Sequence, residues 1–465
     1  MSSKVKILLV NPWVTDFSLY DFWIKPLGLL IIGSILKKEG FDVSLVDFLD
    51  RHNPYFREKL SEKELKEIRD RNFSTGKFPS REIPKPRVYE NIKRKYKIYG
   101  WSEEVIKEYL KKQRGFDFIF ITSGMTYWYP GIRKTVDFLK SIYPDAVFVL
   151  GGRYVFFCKE HAEKNFSDLF LISDVKIKDI LEKIERLTCK KIDIERFSEY
   201  KSISFEFYLE YPILKHFAII RSLGCPFRCI YCASSILYPE FTMFDDNNII
   251  KEIEKIHLLK NARDFAFYDD ALLYPKEKFK EFLKKFIEKS LDIRVHTPNA
   301  IHARYIDQEM AELLKKANFK TIRIGFETIN EEKLKKIWSG KLMLRDFENA
   351  IFNLKKAGFE EEIGAYVLIG TLNDDLDEIM KTYEYLFKNK VKIYPAQFSP
   401  LPFNSFFNKE EPLLSNKSIY PCGNPNIGFS LYEKIKDFAK VLNRNLFTNS
   451  SFTELYKKFF DKESL

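Results

Sequence analysis

From residue 216 to residue 400 short apolar runs alternate with amphipathic segments of helical period, and this alternation constrains the fold more than any other feature of the 465 residues. Strands are expected near 217–222, 264–268, 292–297, 321–326, 363–369 and 393–398. Helices are expected between them, near 247–259, 276–289, 307–317, 345–357 and 375–388. Six βα units fall short of the eight that close a barrel, so the expected fold is an open, partial TIM-type barrel with its chemistry at the C-terminal strand ends.

A second alternation precedes it. Strands at 5–10, 41–47, 116–122, 146–150 and 169–172, with helices at 26–38, 131–142 and 177–187, are apolar enough to be buried on both faces. That pattern predicts a doubly wound, Rossmann- or flavodoxin-like parallel sheet. The expected organisation is a first domain over 1–190, a linker over 190–215, the partial barrel over 205–400, and a loop-rich C-terminal cap over 401–465 ending in one helix at 453–460. Residues 51–114 interrupt the first domain with 19 Lys and Arg against 10 Asp and Glu, which supplies most of the chain's net charge of +11. Such an insertion suits nucleic acid or an acidic protein, or is a solvated surface. Its apolar runs are too short to span a bilayer and the N-terminus lacks the layout of a signal peptide, so a cytoplasmic protein is expected.

The segment RSLGCPFRCIYC follows the first barrel strand and places Cys225, Cys229 and Cys232 in one loop at the catalytic face. Three neighbouring thiolates can hold three irons of a four-iron cluster and leave the fourth without a protein ligand. An iron with a vacant position can chelate an amino-acid head group, and an electron from the cluster can enter an adjacent sulfonium and break its C–S bond. Structural zinc would need a fourth ligand from Cys422, Cys189 or His216, to none of which the spacing points. A dithiol redox pair, Cys229 and Cys232, would leave Cys225 idle.

The loop, with an aromatic Tyr231 before its last cysteine, resembles the hallmark of the radical S-adenosylmethionine (SAM) superfamily. The strand ends FYDDALL, HTPN, RIGFET and VLIGT agree with it. The resemblance implies a 4Fe-4S cluster, SAM as a second cofactor, Tyr231 against the adenine, and Asp269, Asp270, Asn299, Arg323 and Glu327 around the SAM methionine and ribose. The residues support these assignments independently. Asp269, Asp270 and Glu327 follow apolar strands at the catalytic rim, where a carboxylate accepts from an ammonium or a ribose hydroxyl, or else caps a helix or lies on the surface. Arg323 alternates with Ile322 and Ile324 and is expected to face inward toward a carboxylate. After the fifth strand the family's glycine-rich turn is replaced by Thr371, Leu372, Asn373 and Asp374.

KILLVNPWV, TYWYPG and VLGG resemble the cobalamin-binding domain that precedes the barrel in one radical SAM subfamily, a likeness covering about residues 4–400. It implies a slot for cobalamin near Ser123, Gly151 and Gly152. The axial-histidine motif is absent, since His52 follows the second strand, and the last glycine turn is replaced by Ser173, Asp174 and Val175. The expected activity is cobalamin-dependent methyl transfer to an unactivated carbon through a 5'-deoxyadenosyl radical. A non-methylating radical reaction with a degenerate cobalamin domain is the alternative, and a non-catalytic metal- or RNA-binding protein the remote one. The expected partners are a substrate and a reductant such as ferredoxin or flavodoxin, with no membrane and no specific nucleic acid. Cys422 is either a second reactive thiol or inert packing, and His161 is either near a cofactor or a capping residue.

Overall fold

In the computed structural model, which describes residues 4–113, 115–198, 203–337, 342–371, 373–401, 411–416 and 427–460, the first alternation builds a five-stranded sheet. Its strands are β1 (Lys6–Asn11), β2 (Asp42–Asp47), β3 (Phe118–Ser123), β4 (Val147–Gly152) and β5 (Phe170–Ile172), in the order β5-β4-β3-β1-β2. All four pairings are parallel. Ile7, Leu8, Leu9 and Val10 are completely buried, as expected of a central strand covered on both faces.

The second alternation builds β6 (His216–Ile219), β7 (Asp264–Phe267), β8 (Arg294–His296), β9 (Phe319–Glu327), β10 (Ile363–Ile369) and β11 (Lys392–Gln397), which run β6 to β11 in sequence order across one sheet. The pairings from β8 onward are parallel, with a register shift between Gly325 and Glu327. Helices 246–260, 276–288, 308–316, 344–356 and 376–388 fill the connections, each within two residues of its expected position. Three of the five carry Asp at the N-cap, Asp245, Asp307 and Asp375, each accepting from a backbone N–H in the first turn.

Packing divides the chain into two compact units. One is Met1–Ile219 with Met243–Phe265 and Phe407–Asn416; the other is Ile220–Thr242 with Ala266–Phe406 and Lys417–Leu465.

Three expectations need correction. The C-terminal region has a second helix, Phe429–Asn445, before Phe452–Phe460, and its Tyr432, Ile435, Phe438 and Leu442 are buried. The stretch read as a linker carries a helix at Ile194–Ser198 and buries Phe205, Phe207, Tyr208 and Tyr211. The insertion is not merely a solvated surface. Its strand Lys97–Tyr99 pairs antiparallel with both Val14–Asp16 and the insertion's own Ser80–Glu82, and its Tyr89, Tyr96 and Trp101 are buried. Trp13 Nε1 donates to Trp101 O at 2.7 Å and Trp101 Nε1 to Asp50 O at 2.9 Å, so the two indoles are satisfied as well as buried. No helix among the described residues is long and apolar enough to cross a membrane.

Candidate active site at the cysteine loop

The cysteine loop starts one residue after the short strand Ser222–Leu223. The chain doubles back at Gly224, whose φ is +80° and whose Cβ would lie 2.8 Å from Glu240 O, so only glycine is accommodated there. Cys225, Cys229 and Cys232 follow, none of them in a disulfide, Cys229 buried and the other two half-buried. Cys232 N donates to Cys229 O at 3.1 Å, and Ser234 N donates to the Cys232 thiol at 3.5 Å.

Both ends of this loop are held by adjacent carboxylates at the end of β7. Asp269, 2% exposed, accepts from Arg221 N (3.0 Å), Ser222 N (2.7 Å) and Ser222 Oγ (2.6 Å) at the loop's entry. Asp270 accepts from Ser234 Oγ at its exit. Burial pushes the Asp269 carboxyl up to about 6, opposed by the Ser222 hydroxyl and the Arg221 and Ser222 backbone, so at neutral pH it remains an anion aimed at the loop. The Arg221 side chain is itself fully buried, 5.4 Å from the ring centroids of both Phe279 and Phe282. Asn299 Nδ2 donates to Tyr268 O at 2.9 Å and Asp269 O at 3.3 Å, so it fixes the backbone that carries the two carboxylates.

Glu327 ends β9 and is buried, which rules out the surface reading. Its φ is +67°, a left-handed conformation that a residue with a side chain adopts at a cost. The register shift between Gly325 and Glu327 delivers it there. Tyr231 OH donates to Glu327 Oε1 at 3.0 Å. Burial and then the neighbouring carboxylate hold the phenol well above its ordinary pKa, so it acts as a donor.

Arg323 does not face a carboxylate as expected. Its guanidinium lies over the Tyr394 ring at 4.0 Å, and its backbone N–H donates to Thr297 Oγ1. Asp374 lies in the turn that departs from the family pattern; it accepts from Gly370 N (2.6 Å), Thr371 N (3.1 Å) and Tyr432 OH (3.0 Å). His302 was missed by the sequence reading. It is 4% exposed, with Nε2 4.0 Å from the Cys225 thiol and its ring 5.0 Å from Phe227. Its place three residues after Asn299 in the same strand-end segment was the available signal. Cys422 lies outside the described residues.

The donor set fits an iron-sulfur cluster. Three thiols outside any disulfide share one loop, and in a cubane each binds a different iron, so they need not converge on a point. Among the described residues no three His, Cys, Asp or Glu side chains converge as a single ion would require.

At the first sheet, Ser123, Gly151 and Gly152 come together as expected, but on one another. Ser123 Oγ donates to Gly151 O at 2.7 Å and accepts from Tyr154 N at 3.2 Å. A Cβ on Gly152 would lie 2.5 Å from Ser123 O, and one on Gly124 2.8 Å from the Trp128 ring. Trp128 Nε1 donates to Asp16 Oδ2 at 2.9 Å, which fixes that ring in place. Ser123 and Gly152 are register partners on adjacent strands, and Gly151 and Gly152 lie at the accessible end of the sheet, where a Cβ on Gly151 would meet nothing closer than 3.5 Å. His161 accepts or donates at Tyr154 OH, 2.7 Å away. His52 Nε2 lies 2.8 Å from Asp70.

Residues 219–386 match the radical SAM superfamily. An uncharacterized protein of Methanocaldococcus jannaschii is 25% identical over 66% of this chain and 71% of its own length. The bacteriochlorophyllide d C-12(1)-methyltransferase of Chlorobaculum tepidum is 25% identical over 44% of this chain, and the match spans only 46% of that enzyme. Among solved structures, the radical SAM methyltransferase TsrM from Kitasatospora setae, with cobalamin and a [4Fe-4S] cluster bound, superposes with a TM-score of 0.59 at 14% identity, over 88% of this chain and 77% of TsrM. Residues 219–386 form a radical SAM domain within this chain.

Proposed function

We propose that this chain reductively cleaves SAM at a 4Fe-4S cluster held by Cys225, Cys229 and Cys232, and uses the resulting radical on an unactivated carbon of its substrate. The observation that carries the reading is the cysteine loop pinned at its entry by Asp269 and at its exit by Asp270. The cluster, when bound, supplies one electron to the SAM sulfonium, whose bond to the 5' carbon breaks to give methionine and a 5'-deoxyadenosyl radical. The chain's own residues bind and orient. Glu327 presents a carboxylate to an ammonium or ribose hydroxyl, Tyr231 holds that carboxylate in place and lays an aromatic ring beside it, and His302 stands at Cys225.

For the step that follows, methyl transfer with cobalamin as the carrier is supported by the likeness to TsrM and to the bacteriochlorophyllide methyltransferase. The commitment of Ser123, Gly152 and Trp128 to one another favours a second reading, a radical reaction without cobalamin. Anaerobic protein reconstituted with iron and sulfide, given dithionite and SAM, is expected to release 5'-deoxyadenosine and methionine in equal amounts. Intact SAM beside an assembled, reducible cluster would defeat the proposal.

A further inference from the structure

Asp269 and Asp270 grip the cysteine loop at its two ends, whereas His302 meets it at a cysteine. Its Nε2 lies 4.0 Å from the Cys225 thiol. The residue is 4% exposed, and its ring packs 5.0 Å from Phe227 and 6.0 Å from Tyr305. Phe227 belongs to the loop itself, two residues after Cys225, and also takes the Arg304 guanidinium at 5.3 Å from its ring centroid. The segment 302–304 therefore holds the middle of the loop, next to its first thiol.

The backbone determines where this imidazole stands. Ile301 bridges to β9, its N–H donating to Arg323 O at 2.7 Å and its carbonyl accepting from Gly325 N at 3.3 Å. On the other side Tyr305 N donates to His302 O at 3.2 Å, which closes the turn Ala303–Tyr305, and Asn353 Nδ2 donates to Ile306 O at 3.0 Å. Anchored through both neighbours, His302 reaches Cys225 from the barrel strands and not from the loop's own fold.

A thiolate sulfur carries no proton and can only accept, so Nε2 meets it favourably as the N–H of the imidazole. The Cys232 sulfur accepts instead from the backbone N–H of Ser234. Hydrogen bonds to the ligand sulfurs of an iron-sulfur cluster withdraw electron density and favour the reduced, more negative state. We infer that His302 donates a hydrogen bond from Nε2 to the Cys225 sulfur and thereby raises the reduction potential of the cluster. The inference rests on the reading that Cys225 is a cluster ligand. In this role His302 is a positioning residue that acts through Cys225, making the cluster easier to reduce.

The test compares anaerobically reconstituted wild type with two variants. His302→Phe keeps a flat ring against Phe227 without the N–H, and His302→Gln offers an amide N–H in its place. Redox titration followed by electron paramagnetic resonance is expected to put the His302→Phe cluster about 60 mV below wild type, a tenfold smaller equilibrium constant for one-electron reduction. His302→Gln is expected to lie close to wild type, and both variants to keep wild-type iron content. Equal potentials in wild type and His302→Phe would overturn the inference, as would a fall that His302→Gln fails to reverse. If His302→Phe cannot hold a cluster, wild type grown with isotopically labelled histidine decides the matter. A weak ring-nitrogen coupling to the reduced cluster, lost in His302→Gln, is the expected result. No coupling would overturn the inference, and so would one as strong as that of an iron-bound imidazole, which would make His302 a ligand. A reducible cluster that leaves SAM intact would sink the proposed function instead, while the potentials still decide the role of His302.

Discussion

Tyr231, one residue before the last cysteine of the loop, donates its hydroxyl to Glu327 Oε1 at 3.0 Å, and Glu327 is held at φ +67° where β9 shifts register. The loop and the far strand end are thus joined through one hydrogen bond across 96 residues of sequence. A left-handed conformation costs a residue with a side chain about 1–2 kcal/mol. Glu327→Gly is accordingly expected to be more stable than Glu327→Ala by about 1 kcal/mol in urea unfolding. Both are expected to bind SAM at least about tenfold more weakly than wild type, because the carboxylate is gone. Unchanged SAM affinity by equilibrium dialysis would remove Glu327 from the site.

Cys225→Ala, Cys229→Ala and Cys232→Ala are each expected to lose the cluster, since three thiolates leave no spare ligand. Iron and sulfide per chain after anaerobic reconstitution, about four of each in wild type, provide the readout. A triple variant that keeps its iron and its brown colour would show that the ligands lie elsewhere.

Removing the carboxylate that holds the loop entry should also cost the cluster, with all three cysteines in place. Asp269→Ala leaves the Arg221 and Ser222 N–H groups buried without their acceptor, at about 1–3 kcal/mol each. Asp269→Asn keeps one acceptor oxygen and is expected to retain more iron than the alanine variant. Wild-type iron content in Asp269→Ala would mean that the loop holds its shape unaided.

Stability should depend on pH through Asp50. Burial raises its carboxyl from 3.8 to about 6, opposed by Lys25, whose Nζ lies 3.5 Å away. Between those two values the folded chain binds a proton that the unfolded chain has released, so stability falls as pH rises through the window, by about 3 kcal/mol in all. Urea unfolding from pH 4.5 to 7 should show this slope together with a similar one from Asp269, whose carboxyl burial raises likewise, and Asp50→Asn should remove about half of it. An identical slope in the variant would place the titration on another group.

Cobalamin retention separates the two readings of the reaction. On the cobalamin-dependent reading, co-expression with hydroxocobalamin followed by desalting is expected to leave about one corrin per chain with a base-off spectrum. Loss of all corrin beside an intact cluster and SAM cleavage would instead favour the reaction without cobalamin. A spectrum showing histidine coordination would direct attention to His52 or His161.

Periodicity is a local property, and what depends on it was legible in the chain itself. Alternating apolar runs marked every strand of both sheets, and helices 246–260 to 376–388 fell where the 3.6-residue period put them. The spacing of Cys225, Cys229 and Cys232 marked the loop because all three thiols lie within eight residues. The helix Phe429–Asn445 escaped notice although it is amphipathic, because its buried face depends on packing that no neighbouring segment announces. The partners of Asp269, Asp270 and Arg323 were decided only by tertiary structure. A carboxylate after a strand looks the same in sequence whether it meets a ligand or a backbone N–H, and the partners of Asp269 lie 47 and 48 residues away. Arg323 turns to Tyr394, a residue 71 positions on, because β9 and β11 flank β10 and bring their side chains over Gly364, where there is no side chain to keep them apart. Sequence thus specified which chemistry the loop can hold, and long-range packing decided which polar groups were left to serve it.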